Sequence, residues 1–335
     1  MIRVYQRNNQ VLEPLPFPDD GVLPPRTVWI DMLEPTPEEE RRVEHALEID
    51  APTREEMQEI ELSNRLYREG AAIYLTANVI NASDTDDAET TAVTFIRTSR
   101  ALVTLRYADP LSFRSFSIQA MRQPGLCNGV DMTMVSIIES VVNRSADVLE
   151  RVGLRLDQLS KRVFIARTKV QSGKSRRRKG EGEDVDLEEA LKSLGRLTDQ
   201  TALVRECLMS FGRLLTYYNQ ILMEEKAHKD LRLRWKSLHR DVLSLTEHAD
   251  SLAHKSNFLL DATLGLINIQ QTNIIKIFSV AATVFLPPTL IASIYGMNYQ
   301  VMPELSWAWG YPFSLGLMVF SALVPFWYFK HRGWL

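Results

Sequence analysis

Cysteine is nearly absent: Cys127 and Cys207 are the only two in 335 residues. They stand far apart with no C-x-x-C spacing, so no disulfide framework is encoded and a reducing compartment is expected. A dominant charge is missing too. With 39 Lys and Arg against 42 Asp and Glu, the net charge of −3 gives no argument for a nucleic-acid partner. Met1 to Gln10 is polar and lacks an apolar run, so no signal peptide is expected there. The chain has no G-x-x-x-x-G-K-[ST] loop, nucleophile–base pair or metal-binding helix motif. An ATP-driven pump and an enzyme are therefore both disfavoured.

What is present is unevenly distributed. The first part reads as mixed α/β. Thr27 to Met32 has the texture of a buried strand, and Thr36-Pro37-Glu38-Glu39 supplies an N-cap, a proline for the first helical position and a glutamate that reaches back. Thr53 and Glu56 repeat the device. Ala71 to Ile80 and Thr91 to Arg106 are rich in β-branched and aromatic residues, and the break at Thr98-Ser99-Arg100 predicts a hairpin. Beyond residue 130 the pattern becomes helical, over Met132 to Thr168 and again over Leu187 to Met223. Between them a basic cluster, Lys174 to Lys179, is followed at once by Glu181 to Asp184. Glycines bracket the cluster, so it reads as a solvated helix-to-helix connection rather than a lipid or nucleic-acid patch.

Leu238, Leu245, Leu252, Leu259 and Leu266 then recur at every seventh position, with Val242, Ala249, Ser256, Thr263 and Gln270 on a second heptad seam. No proline interrupts this pattern before Pro287, so one long helix is expected from Leu231 toward Met297, roughly 100 Å at 1.5 Å per residue.

Phe278 to Met297 and Tyr311 to Phe329 carry no charged side chain, and each is about 20 residues, the length that spans a bilayer. Two buried core helices are the competing reading. Lys276 precedes the first run, and Lys330, His331 and Arg332 follow the second. The connection Asn298 to Gly310 has no Lys or Arg and a single acid, Glu304. The positive-inside rule then puts both termini in the cytoplasm and this loop outside. Trp307, Trp309, Tyr311, Trp327 and Tyr328 stand at the ends of the second run, where aromatic rings anchor to the interfaces.

Two spans cannot enclose an aqueous path, so a transporter of this design requires several copies around an axis. Thr272, Ile275, Ala282, Leu286, Thr289 and Ser293 fall on one stripe of the first span and mix small, apolar and hydroxyl groups. Such a stripe suits a narrow pore that closes by dewetting, or equally packing against neighbouring helices. Pro287-Pro288 frees carbonyls inside the span.

At the far end of that span stands Tyr295-Gly296-Met297-Asn298. Met302-Pro303-Glu304-Leu305 follows in the loop, Trp309-Gly310-Tyr311-Pro312 opens the second span, and Lys330 and Trp334-Leu335 close the chain. With these residues the sequence resembles the CorA magnesium-transport family. The resemblance is closest to its proteobacterial branch over Asn257 to Leu335 and architectural before that.

The resemblance implies a homopentameric, funnel-shaped channel: an α+β cytoplasmic domain, long stalk helices and two transmembrane helices per chain. The expected divisions are a cytoplasmic α/β domain (1–130), long cytoplasmic helices (131–229), a stalk helix (230–277) and a pore-lining span (278–297). An outer loop (298–310), a second span (311–329) and a cytoplasmic tail (330–335) complete the chain. A bacterial inner membrane is implied. Gly296, Met297 and Asn298 would form the selectivity filter, and the stripe above the pore wall. Glu304 would gather cations at the mouth. Mg²⁺ is both the expected cargo and the expected regulatory ion, with Co²⁺ and Ni²⁺ as further possible cargo. The partners are the chain itself, the bilayer and divalent cations, with no organic cofactor and no nucleic acid.

A neutral amide ring suits a small ion that gives up its water reluctantly, because a carbonyl can accept hydrogen bonds from bound water without stripping it. No Cys or His cluster lies on the path; His331 sits in the tail, so soft-metal coordination is not favoured. A dication entering a cell gains about 4.6 kcal/mol at 100 mV, so no fuel is needed but a gate is. The resemblance places the closing ion between subunits. Asp241, Glu247, Asp250 and Asp261 on the stalk are its candidate ligands, with acids of the run Glu181 to Glu189 adding counter-charge. Alternatives are a ZntB-type Zn²⁺ carrier, from which the intact Gly-Met-Asn departs, and a membrane-anchored coiled-coil scaffold without transport.

Overall fold

In the computed structural model the chain is described over residues 1–335 except 9–10, 19–20, 60, 86–87, 172–186, 299–301, 304–306 and 335. The first half holds β1 (Ile2–Asn8), β2 (Val11–Pro16), β3 (Thr27–Leu33), α1 (Pro37–Leu47), α2 (Arg54–Gln58), α3 (Leu62–Arg65), β4 (Leu66–Glu69), β5 (Ala72–Asn81), β6 (Glu89–Arg97), β7 (Leu102–Arg106) and α4 (Leu111–Arg122). Four long helices follow: α5 (Val130–Gln171), α6 (Leu187–Glu224), α7 (Lys229–Tyr295) and α8 (Gly310–His331). Two units divide the chain, one of Met1–Arg162 with Glu188–Leu260, the other of Val163–Leu187 with Asp261–Leu335.

The first unit is built on a sheet in the order β2-β1-β3-β7-β6-β5-β4. Only β3 and β7 run parallel. Parallel neighbours need a long crossover, and here α1 to α3 and β4 to β6 provide it. Both faces are covered. Val43, Leu47 and Met57 from α1 and α2 pack with Ile30, Met32, Ile96 and Val103. On the other side Phe95 meets Phe113 of α4 at 6.3 Å and Phe211 of α6 at 6.4 Å. Burial on both faces explains why β3, β5 and β7 read as near-continuous apolar runs rather than alternating ones.

Local chemistry sets the element ends. Both expected capping boxes form: Thr36 accepts from the Glu39 N–H while the Glu39 carboxylate accepts from the Thr36 N–H, and Thr53 and Glu56 do the same. The terminal ammonium of Met1 lies 2.8 Å from the same Glu39 carboxylate and, as the largest cause, holds its pKa below the usual carboxylate range. The β6–β7 hairpin turns at Thr98, whose hydroxyl oxygen accepts from the N–H groups of Arg100 and Ala101. The first two strands and α4 carry no expectation from the sequence, and the edge ribbon β1–β2 is the main addition to it. Burial pushes the thiols of Cys127 and Cys207 up to about 11 and about 12, so both are inert at neutral pH.

The sheet centre contains a buried ion pair. Arg106 donates from Nε to Asp31 Oδ1 at 2.9 Å and from a terminal nitrogen to Oδ2 at 2.8 Å, with both side chains only 4% exposed. Thr104 donates to the same carboxylate at 2.8 Å, and the Trp29 indole donates to Thr104 at 2.9 Å. Burial opposes the Arg106 charge. The hydrogen bonds and charges of Asp31 and Asp109 outweigh this and raise its pKa.

The second unit holds the distal part of α7 and α8. Both helices contain stretches long and apolar enough to cross a membrane, and those stretches are 6% and 0% buried. Core helices of a soluble protein are mostly covered, and these stretches are not, which weighs against the competing reading of two buried core helices.

Asp31→Ala would strip the buried Arg106 guanidinium of its bidentate partner and leave it the Asp109 carboxylate at 2.7 Å, an expected loss of about 3 kcal/mol, the low end for a broken buried pair. Chemical denaturation of the full chain in detergent measures it, and an unchanged unfolding midpoint would refute the role given to this pair. Replacing both partners together, Asp31→Leu with Arg106→Met, should recover much of the loss.

Candidate ion pathway

The candidate pathway begins where α7 is fixed to the body. Trp235 is fully buried, donates to the Leu215 carbonyl at 2.9 Å and lies 4.9 Å from the ring of Tyr218. One turn away from the helix start, Arg234 donates through Nε to Glu139 of α5 at 2.7 Å. Tyr218 donates in turn to Asp131 at 2.6 Å, and Arg97 at the end of β6 pairs with both Asp131 and Glu225. Burial, then the neighbouring Asp131 charge, raises the Tyr218 pKa, so it stays a neutral donor.

From there both heptad seams face inward. Leu238, Leu252, Leu259 and Leu266 are buried, as are Val242, Ala249, Ser256 and Thr263; Leu245 is half-buried and Gln270 is exposed. Two glycines lie against the seam, and a side chain at either would meet it at ordinary van der Waals distance. A Cβ on Gly212 of α6 would come within 3.8 Å of Val242, and one on Gly153 of α5 within 3.6 Å of Leu252. The polar seam is satisfied internally. Thr198 gives its only hydroxyl hydrogen to the Leu194 carbonyl, so Ser256 must be the donor in the 2.6 Å contact between the two hydroxyls.

The candidate metal ligands on this helix do not converge. Asp241, Glu247 and Asp261 are exposed, and Asp250 is paired with Arg205. Asp241 and Asp261 are separated by about 30 Å along the axis at 1.5 Å per residue. No group of three or more His, Cys, Asp or Glu able to hold a metal occurs among the described residues. Glu188 and Glu189 are the described members of the acidic run; residues 181–186, like the basic cluster 174–179, lie outside the described residues.

Within the span, Thr272, Ile275, Ala282, Leu286, Thr289 and Ser293 are all exposed in the single chain. So are Phe278 and Phe285, and exposure therefore does not single out this stripe. The hydroxyls are more informative. Thr272 donates to the Asn268 carbonyl and Thr289 to the Phe285 carbonyl, each at 2.8 Å. Their hydrogens are used within the helix, which leaves oxygen lone pairs as the outward chemistry. Pro287 and Pro288 lie inside α7 and supply no N–H for the carbonyls of Thr283 and Val284.

The helix ends at Tyr295. The Gly296 N–H still bonds the Ala292 carbonyl at 2.9 Å, and a Cβ on Gly296 would lie only 3.1 Å from that same oxygen. Glycine thus lets the last turn close without pressing on its own acceptor. Gly296, Met297 and Asn298 are exposed beyond it. Glu304 lies outside the described residues.

The family model for CorA-like Mg²⁺ transporter proteins matches residues 25–331. The chain belongs to the CorA family. It is 33% identical, over the whole of both chains, to the magnesium transport protein CorA of Escherichia coli strain K12. It is 35% identical to that of Pasteurella multocida strain Pm70 over 92% of each. Among solved structures, the CorA magnesium transporter of Methanocaldococcus jannaschii superposes with a TM-score of 0.67 at 18% identity, covering 100% of this chain and 99% of that one. CorA proteins are ion transporters rather than enzymes, and the α+β body, long helices and paired spans described above are the CorA fold.

The sequence reading missed the contacts that seat the stalk of this CorA chain on its body. Arg234–Glu139, Arg205–Asp250 and Lys255–Asp157 join residues 45 or more apart in the chain, and no local spacing announces such pairs. Trp235 was the available signal: a single tryptophan at the head of a leucine-heptad helix.

Proposed function

We propose that this chain forms a homopentameric, funnel-shaped channel that carries hydrated Mg²⁺, and also Co²⁺ or Ni²⁺, passively into the cell. The membrane potential supplies the driving force, about 4.6 kcal/mol for a dication at 100 mV. Residues 1–130 and 131–229 form the cytoplasmic body, 230–277 the stalk, 278–297 the pore-lining span, 298–310 the outer loop, 311–329 the second span and 330–335 the cytoplasmic tail. The membrane is the bacterial inner membrane, with both termini in the cytoplasm. The observation that carries this reading is Asn298, exposed just past the end of a helix whose membrane stretch bears a mixed small, apolar and hydroxyl stripe.

In this assembly Asn298, with Gly296 and Met297, rings the outer mouth. The amide carbonyls accept hydrogen bonds from water on the ion. Neutral oxygens hold a dication loosely enough to release it, which conduction requires. Glu304 raises the local cation concentration at the mouth. Thr272, Ile275, Ala282, Leu286, Thr289 and Ser293 line the path below. Leu286 and Ala282 make the dry constriction, and back-bonded Thr289 and Thr272 offer lone pairs to passing water. The carbonyls of Thr283 and Val284, free of their proline partners, add further acceptors. Cytoplasmic Mg²⁺ closes the path by binding between subunits through Asp241, Glu247, Asp250 and Asp261, relieving repulsion among neighbouring stalks. No organic cofactor takes part.

Asn298→Ala should reduce Mg²⁺ flux into proteoliposomes to background while assembly and thermal stability stay at the parental level. Parental flux through an assembled Ala variant would remove Asn298 from the filter. Asn298→Asp should instead bind divalent ions more tightly and conduct less.

Millimolar Mg²⁺ should protect the body from proteolysis, because an ion bound only by the assembled state stabilises it. Asp241→Asn should weaken that protection and leave flux higher at high internal Mg²⁺. Equal digestion in Mg²⁺ and in EDTA would rule the gate out.

The orientation rests on Lys276, Lys330 and Arg332 against a connection free of Lys and Arg. A terminal tag should stay unreactive toward an impermeant reagent in intact cells, and labelling at either terminus would overturn the topology.

A further inference from the structure

Past Asp261 the sequence holds four basic residues, Lys276, Lys330, His331 and Arg332, and a single acid, Glu304, in the connection between α7 and α8. The basic residues are gathered at one end of the two spans. α8 closes in a Schellman motif: the Gly333 N–H bonds the Lys330 carbonyl, the Trp334 N–H bonds the Phe329 carbonyl, and Gly333 takes a φ of +69°. The accompanying apolar contact is made by the Phe329 and Trp334 rings, 5.3 Å apart. This fold-back sets the Trp334 ring 5.9 Å from the Lys276 ammonium on α7. The Arg332 guanidinium lies 5.6 Å over Tyr328, and Trp327 stacks on His331 at 5.9 Å.

Among the described residues these charges have no carboxylate counter-ion. Asp261 is about 22 Å from Lys276 along the helix axis at 1.5 Å per residue, and no ion pair joins the basic residues to a carboxylate among the described residues. Aromatic rings cannot neutralise three cations. The adjoining helix face is apolar and exposed, with Leu323 57% and Trp327 72% accessible. An anion attached to an acyl chain satisfies both halves of this surface, the charge at the helix ends and the hydrocarbon beside it.

We propose that Lys276, Lys330 and Arg332, framed by Tyr328, Trp327 and Trp334, bind the phosphate headgroup of an anionic phospholipid. The headgroup bridges α7 and the end of α8, so the charge of the surrounding leaflet acts directly on the helix that carries the candidate pore. This rests on both helices crossing a bilayer and not on which ion the protein carries.

The test is native mass spectrometry of the full-length protein released from mixed vesicles of phosphatidylglycerol and phosphatidylcholine with identical acyl chains. Phosphatidylglycerol should be retained preferentially. Lys276→Gln and Arg332→Gln should each lower that preference about fivefold, and Lys276→Arg should keep it. Trp334→Ala retains every charge and should still weaken the preference by releasing the frame around Lys276. Thermal unfolding of each variant separates lost binding from lost fold, and no ion flux enters the readout. Equal retention of the two lipids would overturn the proposal, as would a preference indifferent to the two Gln variants. Displacement of phosphatidylglycerol by inorganic phosphate alone would reassign the site to a free anion and overturn the lipid.

Discussion

A polypeptide that enters hydrocarbon must satisfy its own backbone, because no water is there to do so. α7 meets this requirement by remaining one helix from Lys229 to Tyr295. The departures are few and local. Pro287 and Pro288 release two carbonyls, while Thr283 and Thr289 turn their hydroxyls back onto carbonyls of the preceding turn. Gly296 then allows the chain to leave the helix without crowding its final hydrogen bond.

The polar contacts that attach α7 to the body are graded in strength. At its head the contacts are buried and specific: Trp235 reaches a backbone carbonyl, and Arg234 grips Glu139. Further along, the Arg205–Asp250 and Lys255–Asp157 pairs lie at the surface, where such pairs contribute about 0–1 kcal/mol. Between them runs a seam of Ala249 and Ser256 facing glycine- and threonine-bearing helices. Small side chains bring the backbones close but bury little hydrocarbon. The hydrocarbon that holds this stretch comes from the second seam, where Leu238, Leu252 and Leu259 are buried.

The sequence made some of this legible, for physical reasons. Helix starts were readable because capping boxes are local, and the hairpin at Thr98 because its turn chemistry lies within four residues. The spans were readable because a bilayer imposes a length. The β1–β2 ribbon was not. β2 is the edge strand and β1 lies between it and β3; both carry exposed polar residues, and Glu13 and Pro14 interrupt the apolar pattern. The buried Asp31–Arg106 pair was equally hidden: Asp31 looks like an interruption in a strand until a second strand, far along the chain, brings Arg106 beside it. Among the site residues, Gly296 has a visible reason in the structure, a close carbonyl. The exposed stripe does not distinguish itself from the phenylalanines around it, since a pore wall is defined by neighbouring copies of the chain.

The spacing of the stalk acids bears on how the proposed gate must work. Asp241 and Asp261, about 30 Å apart along α7, cannot share an ion, and of the neighbours Glu247 and Asp250 the second is already held by the Arg205 guanidinium. A ring of copies changes the geometry without moving any residue. Each acid then has symmetry mates at its own level, and like charges at one level repel. A dication between chains removes that repulsion and ties adjacent stalks together; when it leaves, the stalks are driven apart. The proposed filter follows the opposite rule. Asn298 carries no charge, so bringing its copies together creates no comparable repulsion, and an ion there is held only through its water. In the proposed channel, charged rings where the ion must be retained and a neutral ring where it must pass would let one cation serve as both cargo and signal.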